Sequence, residues 1–194
     1  MAGVTELPAV AAWRHVVAHE GFEVVFPRRA ADGYVFDGQA TGIEEGVPWG
    51  FRYEIRVDGG WATRAARVRS RSVTGEHELR LEGDGGGGWT IDRRPAPELD
   101  GLVDVDLEGS AFTNALPAKR LRLPVGADSE APAVYVRPPD LRVERLEQQY
   151  ARLPDDGGKV RFDYASPAFD YRAVLVYDEH GFVLDYPGIA RRVA

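Results

Sequence analysis

The sequence predicts an all-β protein: an antiparallel rolled sheet or open β-barrel, a spiral β-roll with little helix. Three observations lead there. Beyond residue 20 the apolar residues come in short alternating or β-branched runs. Gly, Pro, Asp or Asn bounds each run, and the spacing of these breaks suits hairpins rather than crossover helices.

Strands are predicted at Glu23–Pro27, Gly33–Thr41, Phe51–Asp58, Trp61–Arg71, Glu76–Glu82, Trp89–Asp92 and Leu102–Leu107. Further strands follow at Thr113–Leu123, Ala133–Arg137, Arg142–Arg152, Lys159–Tyr164, Asp170–Asp178 and Phe182–Tyr186. Turns fall at Asp58-Gly59-Gly60, Asp84 to Gly88, Asp155 to Gly158 and Glu179-His180-Gly181. Val10, Trp13 and Val17 share one face of a helix over Val10–Ala18. Leu141–Leu153 could also be helical, but Leu141 and Val143 alternate as in a strand while Leu146 and Tyr150 fall out of phase, and a bulge after Arg145 restores the register and is the preferred reading. Thr113–Leu123 reads as a strand with Pro117 at an edge or bulge, since proline cannot donate to a ladder.

An internal repeat is visible. Phe51 to Asp58 resembles Tyr171 to Asp178; upstream of each stands Val35-Phe36-Asp37 or Arg161-Phe162-Asp163, and downstream Trp61 or Phe182. It predicts two related lobes, about 20–95 and 98–190, meeting near Pro95–Pro97 within one β-roll spanning residues 1–194.

Bulk composition narrows the function. The 194 residues carry 24 Lys and Arg against 31 Asp and Glu, a formal charge of −7, and the pI is near 5.2. Such a chain repels polyphosphates, so no nucleic-acid partner is expected. With no cysteine, disulfides, thiolate metal sites and Cys nucleophiles are excluded. The first residues lack a basic n-region and no apolar run approaches a membrane span, so the reading is cytoplasmic.

Several chemical motifs have structural explanations. With a tight turn at Val73-Thr74, Arg71 faces Glu76 and Arg69 faces Glu78, a salt ladder on a solvated face. His15 and His19 would share a helix face but match no zinc spacing, and His77 is expected partly buried beside Leu79. Gly85 to Gly88 lacks the Lys-Ser/Thr of a phosphate loop, and Ser110 stands in no nucleophile elbow. Different is Leu102 to Leu107, where Asp104 and Asp106 share a strand face opposite Val103, Val105 and Leu107. Two carboxylates about 7 Å apart on one strand suit hydroxyl groups of a polar ligand or a hard cation. Asn114 offers an amide. Arg120, if it emerges on the aspartate side, pairs with them or reads an anionic head group.

The run Asp104-Val105-Asp106-Leu107, Thr113-Asn114-Ala115-Leu116-Pro117 and Arg120-Leu121 resembles the signature of the bacterial "putative glycolipid-binding" family. Gln148/Gln149-Tyr150-Ala151-Arg152 and the ending Asp178, Gly181-Phe182-Val183, Asp185-Tyr186-Pro187-Gly188 match as well, as do Trp13, Tyr53 to Asp58 and Trp61 to Arg64. The resemblance implies a rolled sheet curled around an apolar groove, like the open barrels of lipoprotein carriers, and carries over no catalytic residue. Tyr150, Tyr164, Tyr171, Tyr177 and Tyr186 crowd the last third, and tyrosine combines an apolar body with a polar tip. The expectation is therefore binding of a glycolipid or other amphipathic molecule, without catalysis or cofactor. Its binding residues would be Asp104, Asp106, Asn114, Arg120, Tyr150, Tyr171, Asp178 and Tyr186. The alternative is a divalent-metal-assisted hydrolase using Asp104 and Asp106.

Overall fold

The computed structural model describes residues 7–16, 20–44 and 46–194. The first strands are β1 Ala11–His15, β2 Gly21–Arg29, β3 Gly33–Glu44, β4 Val47–Asp58, β5 Thr63–Ser72, β6 Gly75–Gly83, β7 Trp89–Ile91 and β8 Arg94–Pro95. After β9 Asp104–Leu107, a 3₁₀ turn at Phe112–Asn114 runs into α1 Ala115–Leu121. The remainder is β10 Asp128–Glu130, β11 Ala133–Arg137, β12 Arg142–Leu146, β13 Gln149–Asp156, β14 Lys159–Ser166, β15 Tyr171–Tyr177, β16 Val183–Tyr186 and β17 Ala190–Arg192.

Among the described residues, fourteen strands form one sheet in the order β10-β13-β14-β15-β16-β17-β1-β2-β3-β4-β5-β6-β7-β8, and β12-β11-β9 form a second. The large sheet is antiparallel throughout and its outer strands β10 and β8 do not join, so it is an open roll. One departure from antiparallel pairing lies in the small sheet, where β9 runs parallel to β11.

Alternation fixes the inner surface. In β4, Phe51, Tyr53, Ile55 and Val57 point inward while Arg52 and Arg56 face solvent. Glycines across the ladder make room for the rings: a Cβ at Gly38 would lie 2.2 Å from the Tyr53 ring, and one at Gly42 would lie 2.4 Å from Trp49. The core condenses around Phe112, whose ring centroid stands 4.5 Å from Phe36 and 5.5 Å from Phe182.

Phe36 pairs with Ile55, and Phe162 with Leu175, at equivalent positions of the two phrases. Asp58 Oδ1 accepts the N–H groups of Gly60 and Ala62, as Asp178 Oδ1 accepts those of His180 and Phe182. Both hairpins belong to one continuous sheet.

Several expectations need correction. The predicted helix Val10–Ala18 is the strand β1, held between β17 and β2. Ala11, Trp13 and His15 alternate inward, and Trp13 Nε1 donates to Val183 O at 2.7 Å. Val17 and His19 lie outside the described residues, so the His15–His19 pairing does too. The predicted strand Thr113–Leu123 is helical: Pro117 sits in the first turn of α1, where the backbone nitrogen has no intrahelical partner to lose. Alternation of Leu121 and Leu123 with the two arginines mimicked a strand, but α1 ends there, on a left-handed Arg122. In place of a bulge after Arg145, the chain leaves the small sheet at Leu146 and enters the large one at Gln149. His77 is exposed, not buried beside Leu79. The ladder forms in the expected register, Arg71 opposite Glu76 and Arg69 opposite Glu78. Its arginines Arg67, Arg69 and Arg80 hold the Glu78 carboxyl at about 2.

Candidate functional site

The segment from Leu102 to Leu121 plugs the roll. Its anchor is Glu23, fully buried on β2. Glu23 Oε1 accepts the Tyr53 hydroxyl at 2.7 Å and the Ser110 hydroxyl at 2.5 Å; Oε2 accepts the N–H groups of Ala111 at 2.7 Å and Phe112 at 3.3 Å. These last donors open the 3₁₀ turn that leads into α1, so the carboxylate satisfies a helix start that has no side-chain cap of its own. His15 is buried beside it, Nε2 4.0 Å from Glu23 Oε2.

Asp104 is equally buried and is taken up by Arg120 of α1: Nε reaches Oδ1 at 3.0 Å and Nη2 reaches Oδ2 at 2.6 Å. Burial nevertheless holds the Asp104 carboxyl above its ordinary range, against the opposing pull of Arg120. Asn114 is buried in the same plug; its Oδ1 accepts the Tyr150 hydroxyl at 2.9 Å and its backbone oxygen accepts that of Tyr177 at 3.3 Å.

The plug leaves one end of the roll open. There lies a cavity of about 480 Å³, within the range of small-molecule sites. Asp106, Glu108, Ser110 and Asn114 line it from the plug, Tyr135 and Leu146 from the small sheet, and Tyr164, Ser166, Phe169, Tyr171, Tyr186 and Ile189 from the large sheet and its turns. Tyr164, Tyr171 and Tyr186 form a trio with centroids 5.8–6.2 Å apart, and Tyr171 donates to Pro187 O at 2.5 Å. Phe169 is half exposed at the rim, with Tyr135 edge-on to it at 5.9 Å. Ser166 Oγ is buried next to Tyr164, its side-chain hydrogen-bonding neighbour.

Asp106 is the central polar group. Thr113 Oγ1 donates to Oδ1 at 2.6 Å and Gln148 Nε2 to Oδ2 at 2.5 Å. Burial outweighs these two bonds, and with the nearby Glu108 and Asp104 charges it pushes the carboxyl up from 3.8 to about 6. Burial also holds the phenols of Tyr135, Tyr164 and Tyr186 above their ordinary range, so they stand as neutral hydrogen-bonding groups. Glu108 accepts from Arg137 Nε at 3.0 Å.

Of the eight candidate residues, Asp106, Asn114, Tyr171 and Tyr186 line this cavity. Asp104 and Arg120 are spent on each other behind its wall, and Tyr150 is fully buried on Asn114. Asp178 lies elsewhere, holding its turn and pairing with Arg192 beside a second depression of about 260 Å³. The metal reading of Asp104 and Asp106 meets an obstacle, because the Arg120 guanidinium occupies both oxygens of Asp104. Among the described residues no three His, Asp or Glu side chains cluster as metal ligands would. Sequence reasoning missed Glu108, Tyr135, Ser166 and Phe169, and Glu23 above all. The one available signal for Glu23 was an acidic residue at an inward position of an otherwise apolar strand. Tyr164 was visible only as part of the tyrosine-rich ending.

No helix among the described residues is long and apolar enough to cross a membrane. No curated protein matches the chain significantly. Among solved structures, a DUF1089-family protein from Pseudomonas aeruginosa is 32% identical, with a TM-score of 0.78 over 100% of this chain and 97% of that one. A β-barrel-like DUF1849 protein from Brucella abortus matches at 11% identity and a TM-score of 0.49, over 95% of this chain and 94% of that one. The model of one family matches residues 10–192, and by that match the chain belongs to the family described as "putative glycolipid-binding".

Proposed function

We propose that this protein binds an amphipathic small molecule, a glycolipid or related lipid, in the cavity at the open end of the roll, without chemistry. The carrying observation is the cavity's two-sided lining. Tyrosine rings, Phe169, Leu146 and Ile189 offer an apolar surface, while Asp106, Asn114 and the Ser166 hydroxyl offer bonds to a polar head. Each buried methylene of a tail contributes roughly 0.8 kcal/mol. Among the described residues Asp106 accepts two hydrogen bonds, which leaves lone pairs for ligand hydroxyls. The family match supports the same reading.

Native mass spectrometry of gently purified protein tests it. A copurified or added single-chain amphiphile bound one to one, and lost in a cavity-filling Ser166→Leu variant, is the expected result. An empty protein that rejects neutral, cationic and anionic amphiphiles alike overturns the proposal.

A further inference from the structure

Resting on the amphiphile reading of this cavity, with a related lipid in place of a neutral glycolipid, we propose that the head group selected is cationic, an alkylammonium or quaternary ammonium, set against the Tyr164–Tyr171–Tyr186 trio and the carboxylate of Asp106. None of the described residues lining the cavity is Lys, Arg or His. The nearest cation by bonding is Arg137, which pairs with Glu108 alone. Asp104 brings no net charge because Arg120 neutralises it. Asp106 has neutral donors only, Thr113 and Gln148, and so stands as a carboxylate without a counter-ion. Burial has already raised its pKa to about 6, the mark of a charge whose lost hydration is not replaced.

The aromatic groups point the same way. Ring faces carry negative potential and attract a cation within about 6 Å of the centroid. Three tyrosines with centroids 5.8–6.2 Å apart line the cavity together, Tyr171 the most exposed of them, and the Tyr135–Phe169 pair stands at the rim. A phosphate or carboxylate head entering here meets the Asp106 carboxylate and, among the described lining residues, no cation. A neutral sugar meets no repulsion, but it leaves the Asp106 charge unbalanced.

The test compares three octyl amphiphiles with one tail and different heads, each kept below micelle formation: octyltrimethylammonium, octyl glucoside and octyl phosphate. Titration calorimetry on the full chain at pH 7.5 should give at least tenfold tighter binding for the ammonium than for the glucoside, with no measurable phosphate binding. In Asp106→Asn the ammonium's advantage should fall below about threefold. Glucoside binding as tightly as the ammonium, or measurable phosphate binding, overturns this inference and leaves the amphiphile reading standing; no binding of any of the three overturns both. Because the whole chain is acidic, Ser166→Leu serves as the control, with Leu146→Trp in its place if that variant does not fold. Ammonium binding that survives a filled cavity is surface attraction and overturns the inference as well.

Discussion

Replacing Asp106 by asparagine should change the pH dependence of stability more than the stability itself. In the folded protein the carboxyl is raised from 3.8 to about 6. A raised carboxyl pKa means that the folded state holds its proton longer than the unfolded chain does. Folding is therefore unpenalised by this group below pH 4 and loses stability as the pH climbs from about 4 to about 6. At about 1.36 kcal/mol per unit, a shift of 6 − 3.8 = 2.2 units sets an upper bound of about 3 kcal/mol. Asp106 is only partly shielded from solvent, so about 1–3 kcal/mol is expected. Asparagine keeps an acceptor for Thr113, and Gln148 can turn its amide to accept from the new NH₂. The variant should match the wild type near pH 4 and exceed it by that margin at pH 7.5, with Tm higher by about 2–4 °C per kcal/mol. Urea unfolding of both proteins from pH 4 to 8 measures the difference curve. A flat difference, or a variant less stable at pH 7.5, refutes an uncompensated Asp106 charge.

The remaining expectations concern the plug and the glycines that admit it. Glu23→Ala strands four donors and should cost about 3–5 kcal/mol in urea unfolding; a loss below about 1 kcal/mol would show that Glu23 does not anchor the plug. Arg120→Met leaves Asp104 buried and unpaired and should cost about 3–5 kcal/mol, most of it recovered in the double variant with Asp104→Leu; a double-variant loss as large as the single's would argue against the pairing. Gly38→Ala drives a methyl into a Tyr53 ring whose hydroxyl is tied to Glu23, and should cost about 1–3 kcal/mol. An unchanged unfolding midpoint would mean that the ring is free to move.

What was legible in the sequence follows the range of the interactions. Hairpins are local, so the turn at Val73-Thr74 fixed the Arg71–Glu76 and Arg69–Glu78 register correctly. Alternation likewise placed Asp104 and Asp106 together, and the resemblance drew attention to Arg120. Short segments with two competing periods failed. Val10, Trp13 and Val17 fit a helix, whereas Ala11, Trp13 and His15 fit the strand that forms, and the choice is made by β17 and β2 binding β1 from both sides. The 113–123 segment failed for the complementary reason: its surroundings supply a cap, Glu23, from some 90 residues upstream, which no local pattern encodes. The cavity residues were divided along the same line. Asp106, Asn114, Tyr171 and Tyr186 were candidates from their own neighbourhoods, while Ser166, Phe169 and Tyr135 gain significance only where the small sheet meets the end of the roll.

The residues that make the sequence resemble its family divide by task in the structure. Asp104 and Arg120 face the protein and tie β9 to α1, and Asn114 bonds Tyr150 and Tyr177 while also lining the cavity. With Glu23, they determine how deep the plug sits and therefore where the cavity floor lies. Asp106 does both, since Thr113 and Gln148 hold it from behind while it lines the cavity in front. Changes at Asp104 or Arg120 should thus act on the cavity through stability. Changes at Glu108, Tyr164, Tyr171 or Tyr186 alter the cavity lining itself. Relatives that differ in ligand are accordingly expected to keep the plug anchors and to vary in the aromatic trio and at the rim beside Phe169, where substitution costs the plug nothing.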